Sequence, residues 1–434
     1  MFSIRQFSFV FLQRIYSSSF NRYQSSTTND RVNSSSSNNN NSSSTNSTVW
    51  ATSDTNGLVK QLSARIKSGG PITVAEFMRE SLLNPKYGYY TRHEVFGKQG
   101  DFITAPEISQ MFGELLAVWV MYEHSTNANN PMQLVELGPG RGTLTNDIIR
   151  VLRKRNYSDT NTFIALYEAS PLMRRRQAET LLGRSFDPVI TNDYRIPNGN
   201  YSLIWIDDFK QLKSYNTYFI ANELFDAYPI HKFQKTSQGW KEVMIDWNPI
   251  TKQLQYVLSA RQTAMSRLYR NFLMSIKERQ HVEISPQSSV MMQTICKHIK
   301  THGGSALIGD YGHWGEKEDT FRGFRKHEVV DALSDPGNID ITADVDFEEL
   351  ALSGTQISNV QFYGPISQRN FLYNLGIDIR ATILGRNKTS EEQKEILSAV
   401  EKLVSPDYMG ERFLYLCVQN ENNKKTPAGF SSPY

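Results

Sequence analysis

Long apolar runs, cysteines and metal-ligand spacings are scarce in this 434-residue chain. The two cysteines, Cys296 and Cys417, lie far apart. They offer neither a disulfide framework nor metal-ligand spacing, which fits a reducing compartment. No His-Glu-x-x-His motif occurs. His298 and His302 stand at i and i+4, but Ile299-Lys300-Thr301 between them holds no acid, so a surface pair is expected rather than zinc. The apolar run Phe7–Leu12 is too short and too interrupted to span a bilayer, and no other stretch approaches that length.

Acids are absent from the first 29 residues. That segment interleaves arginines with Phe2, Ile4, Phe7, Phe9, Phe11 and Ile15 and then with serines, the composition of a mitochondrial transit peptide. Residues 33–48 are almost entirely Ser, Asn and Thr, a linker that cannot bury enough apolar surface to fold. The formal charge of +3 sits in this leader. Without residues 1–48, 43 bases and 43 acids remain of the 47 and 44 in the whole chain. A neutral body gives no polyanion-binding surface, so no nucleic-acid partner is expected. Aromatics at 12% allow a sizeable core.

Periodicity predicts helices at Leu58–Arg65 and Thr73–Leu83, the second with Thr73 as N-cap and Glu76 three positions on. A loop at Gly100–Glu107 enters a long helix carrying Ile108, Met111, Phe112, Leu115, Leu116, Val118 and Trp119. Strands are expected at Gln133–Leu137, Phe163–Tyr167, Ser202–Ile206 and Tyr218–Ala221. Helices follow the first two, at Thr143–Leu152 and after Ser170-Pro171. This alternation argues for a parallel, doubly wound α/β sheet. It breaks after Pro229. Antiparallel strands at His231–Phe233 and Lys241–Trp247 and a polar, mainly helical Tyr256–Gln280 make 229–285 an insertion. A helix at 286–301, a strand at Gly304–Gly309, a late helix at Ser390–Val404 and a strand at Phe413–Val418 complete the pattern. The expected organisation is leader and linker to 48, a helical extension over 49–125, the α/β core over 126–228 and 286–434, and the insertion between.

In such a sheet, ligands bind beyond the carboxyl ends of the strands. The first strand ends in Gly138-Pro139-Gly140-Arg141-Gly142, and later ones in Glu168, Asp207-Asp208 and Glu223. A dinucleotide fingerprint would place its third glycine where Thr143 stands. Glu136, just before the loop, suits a cationic ligand. S-adenosyl-L-methionine has an ammonium, a sulfonium and a nucleoside but no phosphate. Glu168 can accept both ribose hydroxyls. Asp208, together with Thr104 and Glu107 from the loop before the long helix, joins Glu136, Gly138, Gly140, Gly142 and Glu168 as cofactor-binding candidates. Glu223 and Asp226 flank Leu224-Phe225 and form a carboxylate pair suited to a guanidinium; Asn222 completes the catalytic candidates. The alternative for the pair is a helix start with acids at its positive end. Asp310–Gly315 is expected as a loop, lining a pocket or making a tight turn. Arg322, Arg325 and Lys326 read as a solvated basic face.

These motifs resemble those of the MidA-type family, mitochondrial protein-arginine methyltransferases that act in assembly of respiratory complex I. The resemblance is carried by Gly100–Ser109 with Phe112-Gly113-Glu114, by Glu136–Leu144, Tyr167–Pro171 and Ala221–Ala227, and by Gly309–Gly312, Arg322–Arg325, Asp340–Phe347 and Gly364–Gln368. It spans roughly residues 57–420 and is least evident over 195–217 and 251–282. It implies a Rossmann-like, seven-stranded class I methyltransferase fold with an inserted substrate region. It also implies a matrix enzyme whose acceptor is an arginine of the large peripheral-arm core subunit of complex I, with symmetric dimethylation as product. Methylation of lysine or of a small molecule, a non-catalytic assembly chaperone with a retained cofactor fold, and a dehydrogenase are the competing expectations. Product analysis separates the first two, a Glu223→Gln rescue experiment the third, and ligand-induced melting shifts the last.

Overall fold

The computed structural model describes residues 57–92, 104–125, 131–155, 162–197, 199, 201–326 and 328–431. The leader, the linker and Gly100–Ile103 lie outside the described residues.

Two sheets organise the molecule. The first draws on two distant parts of the chain. After the helix Gly57–Gly69, the short strand β1 (Ile72–Thr73) runs into the helix Val74–Leu83, whose first turn is capped where the Thr73 hydroxyl accepts the Glu76 N–H at 3.1 Å. Its partner strands come later, so the strands of the second sheet are met first.

That second sheet is built from β2 (Met132–Leu137), β3 (Thr162–Tyr167), β4 (Tyr194–Arg195), β5 (Ser202–Ile206) and β6 (Asn216–Asn222). The insertion follows as β7 (His231–Thr236), β8 (Gly239–Asn248), β9 (Gln253–Leu258) and β10 (His281–Ile284). The chain then returns as β11 (Gly304–His313), a three-stranded patch of β12 (Arg322–Arg325), β13 (Glu328–Val330) and β14 (Asp340–Thr342), then β15 (Val345–Asp346), β16 (Val360–Ser367) and β17 (Phe413–Asn420).

The order in the large sheet is β16-β17-β11-β6-β2-β3-β5-β4, with β15 beside β11. The seven longer strands are therefore β5-β3-β2-β6-β11-β17-β16. Among them β17 alone opposes the others, antiparallel to both β11 and β16. The sheet is mixed rather than wholly parallel, because β17 enters between β11 and β16, after the helix Ser390–Val404, and runs against both. Leucine, isoleucine and tryptophan side chains of the helices Gln110–His124 and Thr143–Lys154 pack on one face, with Trp119 and Trp205 fully buried.

The insertion forms an antiparallel sheet, β1-β8-β7-β10, with β9 on β8. Ile72 pairs with Ile245 across β1 and β8. Leu58, Leu62, Phe77 and Met78 from the N-terminal helices pack against Ile230, Val243, Ile245 and Ile341. Residues 57–92 thus cover the insertion, while the helix Gln110–His124 belongs to the main core.

Four local expectations are corrected. The long helix is interrupted at Ser109, which is extended (φ −159, ψ 138) and caps the next helix by accepting the Met111 N–H at 3.2 Å. Tyr256–Leu258 ends strand β9, and only Ala264–Leu268 and Arg270–Ser275 are helical in the stretch expected to be mainly helix. Asp310–His313 is not a loop: β11 continues through it, paired with β17 as far as Tyr311 and with β15 at Gly312 and His313. His298 is half-buried rather than a surface residue, 2.8 Å from the Thr217 hydroxyl and edge-on to Phe219.

Candidate functional site

Register brings the strand ends together. Leu137 pairs with both Tyr167 and Ala221, and Asn222 with Gly309, so β2, β3 and β6 end at one edge, beside which β11 runs on to His313. The chain runs from β2 outward through β3 and β5, then returns to β6 on the other side of β2. A crevice opens where the direction reverses.

The loop after β2 winds through three left-handed glycines, Gly138 (φ 68), Gly140 (φ 49) and Gly142 (φ 83). A side chain at any of these would be strained. Gly142 N–H closes the turn on the Pro139 carbonyl at 2.7 Å. A Cβ at Gly138 would stand 2.9 Å from Leu224 Cδ1, so this loop abuts the turn after β6. Glu136 is 5% exposed, and the Thr145 hydroxyl donates to its carboxylate. Burial pushes its pKa up to about 8.

Glu168 continues β3. Its Oε1 accepts the Ser170 N–H at 2.8 Å and its Oε2 the Gln177 amide at 3.0 Å. Burial raises its pKa to about 6, with these donors opposing. Gln177 also donates to the Gly140 carbonyl at 2.7 Å. It was missed in the sequence, although the signal was there: it is a polar residue in the buried stripe Met173, Gln177, Leu181 of the helix Pro171–Leu182. Asp208 is exposed. Its carboxylate accepts the Lys210 N–H at 2.9 Å, capping the short 3-10 turn Phe209–Gln211.

The turn after β6 is held by Asp310. Buried completely, its Oδ2 accepts the N–H groups of Leu224, Phe225 and Asp226 at 3.1, 2.8 and 3.3 Å. Asp310 therefore shapes the turn, and does so from within a strand. Glu223 takes a left-handed conformation (φ 55), a strained choice for a non-glycine residue. Its Oε1 accepts from Ala105 N at 3.1 Å and from the Asn222 amide at 2.9 Å. Tyr415, for which no sequence signal existed, donates to Asn222 Oδ1 at 3.2 Å. Burial first, then the nearby charges of Asp226 and Asp340, pushes Glu223 up to about 8. Asp226 is buried and pushed up to about 7, with Arg322 pulling the other way. Arg322 is half-buried and pairs with Asp344 at 2.6 Å, so it belongs to this cluster rather than to a solvated face. Tyr90 donates to Asp340 at 3.0 Å.

A cleft of about 430 Å³, its open mouth included, is lined by Thr104, Pro106, Glu107, Glu136, Gly138, Pro139, Gly140, Arg141, Thr143, Leu144, Asn222 and Glu223. Seven sequence candidates meet there: Thr104, Glu107, Glu136, Gly138, Gly140, Asn222 and Glu223. Gly142 closes the loop against the helix Pro171–Leu182, and Glu168 is joined to the loop through Gln177; neither lines the cleft. Asp226 sits behind the turn, beside Arg322 and Asp344, and Asp208 is outside the cleft lining. The residues present fit S-adenosyl-L-methionine. The side-chain-free glycine cradle admits close backbone approach, and three carboxyl groups face the space a cation would enter. Glu136 and Glu223 are mostly protonated at neutral pH, and an incoming cation favours their ionised form.

Residues 115–366 match the model of a family described as "Putative S-adenosyl-L-methionine-dependent methyltransferase". The chain is 39% identical over 444 residues to the mitochondrial protein arginine methyltransferase NDUFAF7 of Xenopus tropicalis, covering 99% of this chain and 97% of that one. Its identity to the Homo sapiens protein of the same name is 39% over 380 residues, 85% of this chain and 84% of that one. A crystal structure of a Burkholderia thailandensis protein bound to S-adenosyl-homocysteine shares the fold, with a TM-score of 0.72 at 24% identity over 86% of this chain and 95% of that one. By sequence and by fold, the chain belongs to the S-adenosyl-L-methionine-dependent methyltransferase family that includes the mitochondrial NDUFAF7 protein arginine methyltransferases.

Proposed function

We propose that this protein transfers methyl groups to an arginine side chain of a protein substrate in mitochondria. The observation that carries the reading is that Asn222 and Glu223 line the same cleft as Glu136 and the glycine loop. S-adenosyl-L-methionine, when bound, supplies an electrophilic methyl group. Gly138, Gly140 and Gly142 cradle it, and Glu136 and Glu107 face its cationic end. Glu168 accepts the ribose hydroxyls, with Thr104 and Asp208 at the margins of the site.

On the acceptor side, Glu223 orients the guanidinium through charge-assisted hydrogen bonds and takes up its proton. A carboxyl with a pKa near 8 is a better proton acceptor than one near 4. Asn222 holds the Glu223 carboxylate in place, and Asp226 adds negative charge from behind. The acceptor is the large peripheral-arm core subunit of respiratory complex I, the product is symmetric dimethylarginine, and the compartment is the matrix. Supporting this finer reading are the acid-poor leader and the relatives named as mitochondrial protein arginine methyltransferases.

The test is methyl transfer from labelled cofactor to that purified subunit, with the product identified by mass spectrometry. Symmetric dimethylarginine is expected. Labelled lysine, or no label on the protein while small molecules are labelled, overturns the reading.

A further inference from the structure

We infer that Gln177 is the positioning residue of the cofactor site, its one buried amide tying the Gly140 carbonyl to the Glu168 carboxylate and holding both where a bound nucleoside meets them. The inference rests on the reading above that the glycine loop and Glu168 hold the cofactor.

A glutamine amide offers two N–H donors and one carbonyl acceptor. All are used here. Gln177 is fully buried, its Nε2 lies 2.7 Å from the Gly140 oxygen and 3.0 Å from Glu168 Oε2, and its Oε1 lies 2.8 Å from Trp205 Nε1. An indole N–H only donates, so Trp205 fixes which side of the amide is oxygen. The NH2 group must then face the loop and the acid.

Both tied groups need that hold. Gly140 is the middle of three left-handed glycines and has no side chain to anchor it. Glu168 has one lone pair of Oε1 engaged by the Ser170 N–H and one of Oε2 by Gln177. The Ala169 N–H is a third donor to this carboxylate, and the lone-pair capacity left over is what a ribose hydroxyl would meet. The amide donor also favours the ionised carboxylate, opposing the burial that raises Glu168 to about 6. The charged groups on the surrounding elements are Arg174, which donates to the Glu168 backbone carbonyl at 3.1 Å, Arg141 on the glycine loop, and Asp207 and Asp208 at the end of β5. A change at Gln177 leaves them all in place.

The full chain and its Q177M, Q177E and E168Q variants are titrated with S-adenosylhomocysteine by calorimetry from pH 5 to 8. Stoichiometry reports the folded fraction, and Kd with its pH midpoint reports the site, so a partly unfolded variant cannot imitate the effect. Wild-type binding strengthens as pH rises through about 6, where Glu168 ionises, and again towards 8, where Glu136 does; the lower midpoint is the one Gln177 sets. Q177M keeps the length of the side chain but removes both donors. Its Kd rises about tenfold, the scale of a lost hydrogen bond to a charged group, and its midpoint moves to higher pH. Q177E still accepts from Trp205 but sets an oxygen against the Gly140 carbonyl and Glu168, so its binding weakens as pH rises. Unchanged Kd and midpoint in Q177M, alongside a loss in E168Q, overturn the inference and leave the cofactor reading standing. If E168Q binds like wild type, the cofactor reading of Glu168 fails and the inference falls with it.

Discussion

The carboxyl groups on the two sides of the cleft differ in what surrounds them. On the glycine-loop side, Glu136 and Glu168 have neutral donors for partners: the Thr145 hydroxyl, the Ser170 N–H and the Gln177 amide. Burial is the force that raises them, and at Glu168 the nearby Arg174 charge pulls the other way. Beyond β6, Glu223, Asp226, Asp310 and Asp340 crowd together, and like charge adds to burial at Glu223 and at Asp310. The same side chain does two jobs. Isolated and donor-held, it is a fixed acceptor for a neutral or singly charged group. In a crowd of its own kind, its ionised form gains most when a cation or a proton arrives.

The sharpest way to break this contrast is Glu223→Gln. Removing one positioned charge from a developing centre costs on the order of 100-fold in rate. Methyl transfer to the protein substrate should fall by that amount while S-adenosylhomocysteine binding stays within about threefold. Equal losses in both would merge the two sides into one. Gly138→Val attacks the other side. Its φ of 68 and the 2.9 Å approach to Leu224 force either strain or loop movement. Left-handed backbone costs a residue with a Cβ about 1–2 kcal/mol, so calorimetric affinity for the cofactor product should fall roughly tenfold.

Asp310→Ala separates shape from charge. Three backbone N–H groups lose their buried acceptor, so urea unfolding should show a loss of about 1–3 kcal/mol. Normal stability would mean that the turn holds itself.

A smaller effect tests the titration directly. Glu136 and Glu223 near 8 and Asp226 near 7 bind protons in the folded protein that the unfolded chain has already released. Unfolding free energy should therefore decline as pH rises through 7 to 8, and Glu223→Gln should flatten the slope. Below about pH 6.5 the buried His124 and His298, lowered to about 4, work in the opposite direction, so the higher window isolates the carboxyls. A slope unaltered by the substitution would deny Glu223 its raised pKa. The least effect is expected from Asp208→Ala. With its carboxylate exposed and capping a surface turn, cofactor affinity should change less than about threefold, within reach of a lost exposed cap.

Much of the site was legible because it is written locally. Gly138, Gly140 and Gly142 mark a loop that needs left-handed backbone, Ser170-Pro171 announces a helix start, and Glu168 and Glu223 directly follow apolar strands. The Thr73 cap could likewise be read from two residues three apart. Gln177 was half-written, a polar residue in an apolar stripe whose partners lie on other elements. Tyr415 on Asn222, Ala105 N–H on Glu223 and Arg322 on Asp344 join residues far apart in sequence, so no local pattern could announce them. Asp310 carried an ambiguous signal, because strand and loop propensities are weak against the pairing that β15 and β17 impose.

The chain's own order of residues therefore determined the βα alternation, the glycine cradle and the acids at the strand ends. These follow from side-chain periodicity and backbone sterics acting within a few residues. Tertiary structure alone decided that β1 completes the inserted sheet, that β17 runs against its neighbours, and which acids crowd and which stand apart. Those outcomes depend on burial and on charge at short range, quantities that exist only once distant segments have packed.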